Sequence, residues 1–256
     1  MQRIKFISVI CDCKGLLTGS PRNTSPVKVQ TLFFYLFLLF VVKGTGLFVK
    51  FIILFCLNPL AQVLKDTWVM EFVFKEHSFS YTTVDAILLG IFLAPVAEEF
   101  IFRGPLVWSK KMISLSFSLF FLHIFSNTSI NFIVSRCDWQ NLEQVKVVII
   151  NVVISILIYC VSFVCLSVFE HEFAGMHSRS KKFIFFLSST IFAGLHLLNS
   201  DITFYSLFLA PVFVLPFFLS GIFFSYVRIK YGLKYSILLH ILSNGVVITI
   251  SLCFLP

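Results

Sequence analysis

The chain has 256 residues, of which 58% are hydrophobic and only 12% charged, with a mean hydropathy of +0.96. Soluble domains carry about 25% charged residues, so the composition excludes an ordinary soluble protein and points to a polytopic membrane protein. The net charge of +8 does not call for nucleic acid as a partner, because basic residues of membrane proteins collect in cytoplasmic loops. The seven cysteines are scattered. Cys11 and Cys13 form a lone C-x-C without a second pair, so neither a zinc ribbon nor a disulfide framework is expected.

In chain order, residues 1–30 form a basic, polar tail with Arg3, Lys5, Lys14, Arg22 and Lys28. It is expected in the cytoplasm and without a secretory signal peptide, since the first long apolar run begins near Thr31. That run, 31–56, contains Lys43 and Lys50, whose long stems are expected to snorkel. An amphipathic connector over 57–81 is expected to lie along the membrane interface. Further spans follow over 82–108, 112–134, 147–169, 183–199, 204–227 and 235–255, each about long enough for a bilayer needing roughly 20 residues. Pro211 and Pro216 are expected kinks in the sixth. Polar loops are expected over 136–146 and 170–182, with His171 and His177 of the second solvated. Cys253 opens a C-terminal C-a-a-X tetrapeptide ending in Pro256, an unusual last residue for prenylation. The cysteine falls within a span, and the tetrapeptide reads as coincidence.

These elements predict an all-α fold: a polytopic transmembrane helix bundle of about seven spans, with a single membrane domain over 31–256. With the N-terminus in the cytoplasm, thirteen Lys and Arg fall on the inner side. Only Lys65, Lys75, Arg136 and Lys146 fall on the outer side. That asymmetry supports the orientation, and the expected location is a bacterial cytoplasmic membrane.

Three polar sets interrupt the spans. The first is Glu98, Glu99 and Arg103. A charge there costs a few kcal/mol. Glu99 and Arg103 are four apart, share a helix face and can pair; Glu98 lies about 100° round the helix. The second is Phe192 followed by His196, in a run of Ser, Ala and Gly that lets helices pack closely. The third is His240 and Asn244, an imidazole and an amide one turn apart. Each set has a bland reading as residues at a span end. Together in one bundle they are expected to face inward. Counted at about 1.5 Å per residue, they fall within roughly 10 Å of a common depth, so an active site buried in the membrane is expected.

Glu-Glu-x-x-x-Arg, Phe-x-x-x-His and His-x-x-x-Asn, in this order on separate spans, resemble the three motifs of the CPBP family. These are the CaaX-protease and bacteriocin-processing proteins, also called the ABI family, which include the type II CaaX prenyl endopeptidases. Flanking residues resemble it too: Ala94-Pro95 before the glutamates, Phe102-Arg103-Gly104 after them, and Tyr226-Val227-Arg228 with Gly232 before the last histidine. The resemblance runs from 82 to 244, within a core of 82–250. It implies an intramembrane endopeptidase acting on a membrane-associated or prenylated-type protein or peptide. Glu98 would be the base that activates a water together with His196, His240 and Asn244 would hydrogen-bond the oxyanion, and Glu99 paired with Arg103 would hold the helix.

The interval from Arg103 to Phe192 is longer than the family usually shows, which raises His123 as a rival second-motif histidine. The small residues around His196 favour His196. The favoured mechanism needs no cofactor. A zinc variant would use Glu98, His196 and His240, two imidazoles and one carboxylate, although no H-E-x-x-H is present. Two further readings compete. One is a non-catalytic scaffold or bacteriocin self-immunity protein of the same fold. The other is a small ion- or proton-coupled transporter, against which the lack of visible inverted repeats weighs.

Overall fold

The structure is a computed structural model that describes residues 30–31, 33–45, 48, 52, 86–135, 142–197 and 204–254. The expected tail, the interfacial connector over 57–81 and the turn at 199–201 lie outside the described residues. Every element among the described residues is helical. We label them α1 (Phe33–Thr45), α2 (86–103), α3 (Lys110–Ser135), α4 (Leu142–Val168), α5 (Glu170–Arg179), α6 (Lys181–Leu197), α7 (Phe204–Tyr231) and α8 (Leu233–Phe254).

Among the described residues two helices, Val148–Val168 of α4 and Ala210–Tyr231 of α7, are long and apolar enough to cross a membrane; Phe33–Thr45 and Leu233–Thr249 are shorter apolar helices. α4 turns Ile149, Val153, Ile156, Leu157, Val161, Val164 and Val168 outward. Apolar patches of this extent are rare on monomeric soluble proteins, and lipid is the medium that suits them.

The chain forms two compact units. One holds the chain up to Val96 and from Phe185 onward; the other holds Ala97–Ile184. In the first, α1 is two-faced at helical spacing. Phe33, Phe37 and Val41 point outward, while Tyr35, Leu38 and Leu39 enter a core with Phe223, Phe224, Tyr226 and Val227 of α7 and Leu239 of α8. Tyr35 is ringed by Phe223, Tyr226 and Tyr231 at 5.7, 6.1 and 5.6 Å, and its hydroxyl lies 2.8 Å from that of Tyr231. Such aromatic contacts add about 0.5–1.5 kcal/mol each beyond burial. Tyr226, Val227 and Arg228, which the sequence places at the end of a span, are therefore buried. α7 ends where Gly232 takes φ +108°. Its N–H donates to the Arg228 carbonyl at 3.0 Å, a glycine stop that lets α8 start at once.

In the second unit, α3 and α4 pack as a pair, joined where the Ser118 hydroxyl donates to the Ser155 carbonyl at 2.7 Å. The 170–182 segment, read from sequence as a polar loop, is instead mostly helical: α5 spans Glu170–Arg179, with Glu170 and Glu172 in its first turn and Arg179 in its last. That charge order complements the helix dipole.

Candidate active site

The first motif lies on an unusual backbone. α2 is π-helical over Ala86–Leu93, α-helical over Ala94–Glu98 and π-helical again over Glu99–Arg103, before a 3-10 turn at Gly104–Leu106. π-Helical segments are rare and cluster at functional sites. The second one begins at Glu99, so Glu98 is the last α-helical residue before the register widens. Arg103 Nε lies 3.5 Å from Glu99 Oε1, with both side chains 0% exposed. This is an ion pair, though longer than the 2.7–2.9 Å of a charge-assisted hydrogen bond. The Arg103 guanidinium also stands 5.7 Å from the centre of the Phe102 ring.

Three contacts fasten this stretch inside its own unit. Phe102 meets Phe120 of α3 edge-on, with ring centres 6.4 Å apart. Ser116 Oγ lies 2.7 Å from the Phe100 carbonyl and 2.8 Å from that of Met112, and its single proton serves one of them. A Cβ on Gly104 would collide with Ser116 Oγ. The glycine after Arg103 is thus set by close helix approach; its φ of −51° is ordinary.

His177 corrects the sequence reading of a solvated histidine. It is 8% exposed. Its Nε2 lies 2.7 Å from the Pro105 carbonyl, so Nε2–H is the donor, and its ring sits 5.5 Å from Trp108. The two partners are 72 residues apart, and no local pattern signals the contact. His171 is exposed, as expected. His123 lies on α3 and is partly exposed.

The second and third motifs come together in the other unit. His196 Nδ1 lies 2.8 Å from the Phe192 carbonyl one turn back. A carbonyl only accepts, so Nδ1 carries the proton and Nε2 of the neutral ring is the acceptor. The Phe192 ring meets both histidines edge-on, at 4.7 Å from His196 and 5.9 Å from His240. His196 also stacks on Phe217 at 4.1 Å and His240 on Phe224 at 4.4 Å. His240 is 3% exposed. The phenylalanine of the second motif is therefore the wall between two imidazoles, each backed by a second ring from α7.

Small residues make this possible. Ser188, Ser189 and Ala193 are buried, and a Cβ on Gly221 of α7 would come within 3.2 Å of Phe192 Cδ1 and 3.3 Å of Ser189 Cα. Gly221 was not singled out from the sequence. Asn244 Nδ2 donates to the Gly90 carbonyl at 3.2 Å, tying α8 to the first π-helical segment. A Cβ on Gly90 would lie 2.8 Å from Ile248 Cδ1, so that glycine too marks close packing. Lys43, expected to snorkel, donates instead to Ser243 Oγ at 2.6 Å.

Among the described residues of either unit, no group of three or more His, Cys, Asp or Glu side chains is arranged to hold a metal ion. The zinc variant with Glu98, His196 and His240 gains no support from the described residues.

A family model described as type II CAAX prenyl endopeptidase, Rce1-like, matches residues 81–246. No curated protein and no solved structure matches the chain significantly. The matched segment contains all three motifs and covers well over half of the sequence: the chain belongs to the Rce1-like family of type II CAAX prenyl endopeptidases, membrane-integral proteases.

Proposed function

We propose that the chain is an intramembrane endopeptidase in which Glu98 activates the hydrolytic water on a membrane-associated or prenylated-type substrate. Glu98 takes one proton from the water, and the water oxygen bonds to the scissile carbonyl carbon. The carbonyl electron pair moves onto oxygen, where His240 and Asn244 donate hydrogen bonds. On collapse the C–N bond breaks, and the proton held by Glu98 passes to the leaving nitrogen. His196 orients the water through Nε2. Preorganised donors act most strongly where water is excluded, and losing one costs about 10²–10³ in turnover. Asn244 has two amide protons; one goes to Gly90, and the role uses the other.

The observation that carries this reading is the histidine pair walled by Phe192, with the His196 tautomer set by the Phe192 carbonyl. Two imidazoles held by three rings are oriented for chemistry more than a pair of core histidines needs to be. The proposal keeps seven spans, a cytoplasmic tail over 1–30, one transmembrane domain over 31–256 with its core at 82–250, and an N-terminus in a bacterial cytoplasm. The apolar outward face of Val148–Val168 favours a lipid setting.

The test is cleavage of a membrane peptide by purified protein. Glu98→Gln and His196→Ala are each expected to lose about 10²–10⁴ in rate, the range for a general acid–base group, while accumulating normally. Normal cleavage by a protein lacking both side chains would sink the assignment. A wild-type protein that folds and binds peptide without cleaving it would favour the scaffold reading.

A further inference from the structure

The third motif occupies one turn of α8, and neighbours from α7, α2 and α1 hold that turn within one unit. Phe224 of α7 stacks on His240 at 4.4 Å. The Gly90 carbonyl of α2 accepts from Asn244 at 3.2 Å. Lys43 of α1 donates to Ser243 Oγ at 2.6 Å. Ser243 is wholly buried. It follows His240 by three residues, on the same side of the helix, and directly precedes Asn244. α1 itself carries none of the three motifs. Resting on the proposed function, we infer that Lys43 is a positioning residue: its bond to Ser243 fixes the rotation of α8 about its axis, and so the aim of His240 and Asn244 at the oxyanion.

Leu39, one turn before Lys43, shares a core with Leu239, one turn before Ser243. That burial is non-directional and leaves a helix able to roll. A hydrogen bond depends on angle, and one from a charged donor is short and roughly twice as strong as a neutral one. Small rolls matter at this turn. Side chains reach about 5–6 Å from a helix axis, so a roll of about 10° carries their tips roughly 1 Å. A misplacement of that size costs up to about 10²-fold in rate. The ring on His240 and the carbonyl on Asn244 engage the two side chains that must act on substrate. Lys43 restrains the same turn through a residue with no other task there. The restraint does not depend on what else the ammonium touches, because Ser243 Oγ is the atom that moves with α8. An ionisable residue inside a span is costly and marks function, and an angular restraint is what an apolar residue at position 43 could not supply.

The test is a double-mutant cycle on the purified full chain: wild type, Lys43→Met, Ser243→Ala and the pair, with Lys43→Arg as the conservative variant. Cleavage of a membrane peptide gives kcat and KM. Resonances of isotope-labelled histidine, with His240 assigned through His240→Gln, report the place of its ring on Phe224. Each single variant should lower kcat about tenfold, inside the limit for a small misplacement, and leave KM within about twofold, the mark of an effect confined to the transition state. The pair should lose no more than the worse single variant, and Lys43→Arg should recover most of kcat. The His240 resonance should move in both single variants and return in Lys43→Arg. Should Lys43→Met fail to fold, Ser243→Ala carries the same expectation alone. Losses that multiply in the pair, an unmoved His240 resonance, or lowered thermal stability with kcat kept would overturn the inference and reduce Lys43 to a packing role. A wild type that cleaves nothing, while its His240 resonance still responds to Lys43→Met, would instead defeat the proposed hydrolysis and leave the positioning standing.

Discussion

The acidic stretch and the histidine pair face the same difficulty, polar groups in an apolar fold, and are held in different ways. Glu99 and Arg103 are held by opposite charge, both fully buried, on a π-helical segment fastened by Ser116 and Phe120. His196 and His240 are held by rings: Phe192 between them, Phe217 and Phe224 behind. A buried ion pair resists loss of one partner strongly, because the charge left behind is uncompensated. Ring contacts add about 0.5–1.5 kcal/mol each and favour stacked or edge-on geometries. In the proposed function the Glu99–Arg103 pair serves the integrity of its helix, whereas the aromatic frame serves the aim of the imidazoles.

The largest effect should come from breaking the ion pair. Arg103→Ala strands a buried carboxylate, which costs about 3–5 kcal/mol, and should lower both thermal stability and accumulation. Glu99→Gln with Arg103→Gln together should recover part of that loss, because no lone charge remains. Thermal stability of the wild type, both single variants and the double variant in detergent gives the coupling. Additive losses would show the two residues uncoupled. Glu99 would then be available for catalysis, and the comparison would fail at its first term.

A smaller effect is expected on the ring side. Gly221→Ala puts a methyl 3.2 Å from Phe192 Cδ1 and 3.3 Å from Ser189 Cα. Overpacking costs about 1–3 kcal/mol. Phe192 carries the carbonyl and the ring that orient His196, so turnover should fall further than stability; a displacement near 1 Å costs up to about 10²-fold. The readout is turnover compared with thermal stability in one preparation. A variant that loses stability and keeps full turnover would show that the frame does not aim the histidines.

How much of this was legible in the sequence differs between the two regions for a physical reason. The Glu99–Arg103 pair is local: a spacing of four on any helix brings the two together, and the spacing could be read directly. The small residues around His196 likewise announced close packing, which Ser189 and Gly221 realise. What could not be read depends on distant partners. The widened π register of α2, the burial of His177 against Pro105 and the inward turn of Lys43 toward a residue 200 positions away are decided by tertiary packing. Periodicity along one segment is silent about that. The charged run at 170–182 misled for a related reason: high polarity reads as a loop, yet Glu170 through Arg179 forms a helix with its charges on the favourable ends.

His177→Ala tests the acidic side more gently. The bond to the Pro105 carbonyl is worth about 1 kcal/mol net, and it holds the chain just past Arg103. A loss of stability near that size is expected, with turnover changed by no more than a few-fold. Turnover falling as far as in Glu98→Gln, with stability kept, would mean that His177 belongs to the chemistry and that the acidic side carries a histidine of its own.

The smallest expected effect is at His123. The long interval between Arg103 and Phe192 made it a rival for the second motif, and the proposed reading keeps His196. His196 has its tautomer set by the Phe192 carbonyl, its face covered by Phe217 and its edge met by Phe192. A water-orienting imidazole needs a defined acceptor nitrogen and a fixed plane, and these contacts supply both. His123 sits partly exposed on α3. His123→Ala should therefore leave turnover within about twofold of wild type, since surface-accessible substitutions away from special features shift free energies by only about 0.5 kcal/mol. The comparison is cleavage by His123→Ala and His196→Ala side by side, at matched protein levels. If the first is inactive and the second active, the second motif belongs to α3, and the rings around His196 serve packing alone.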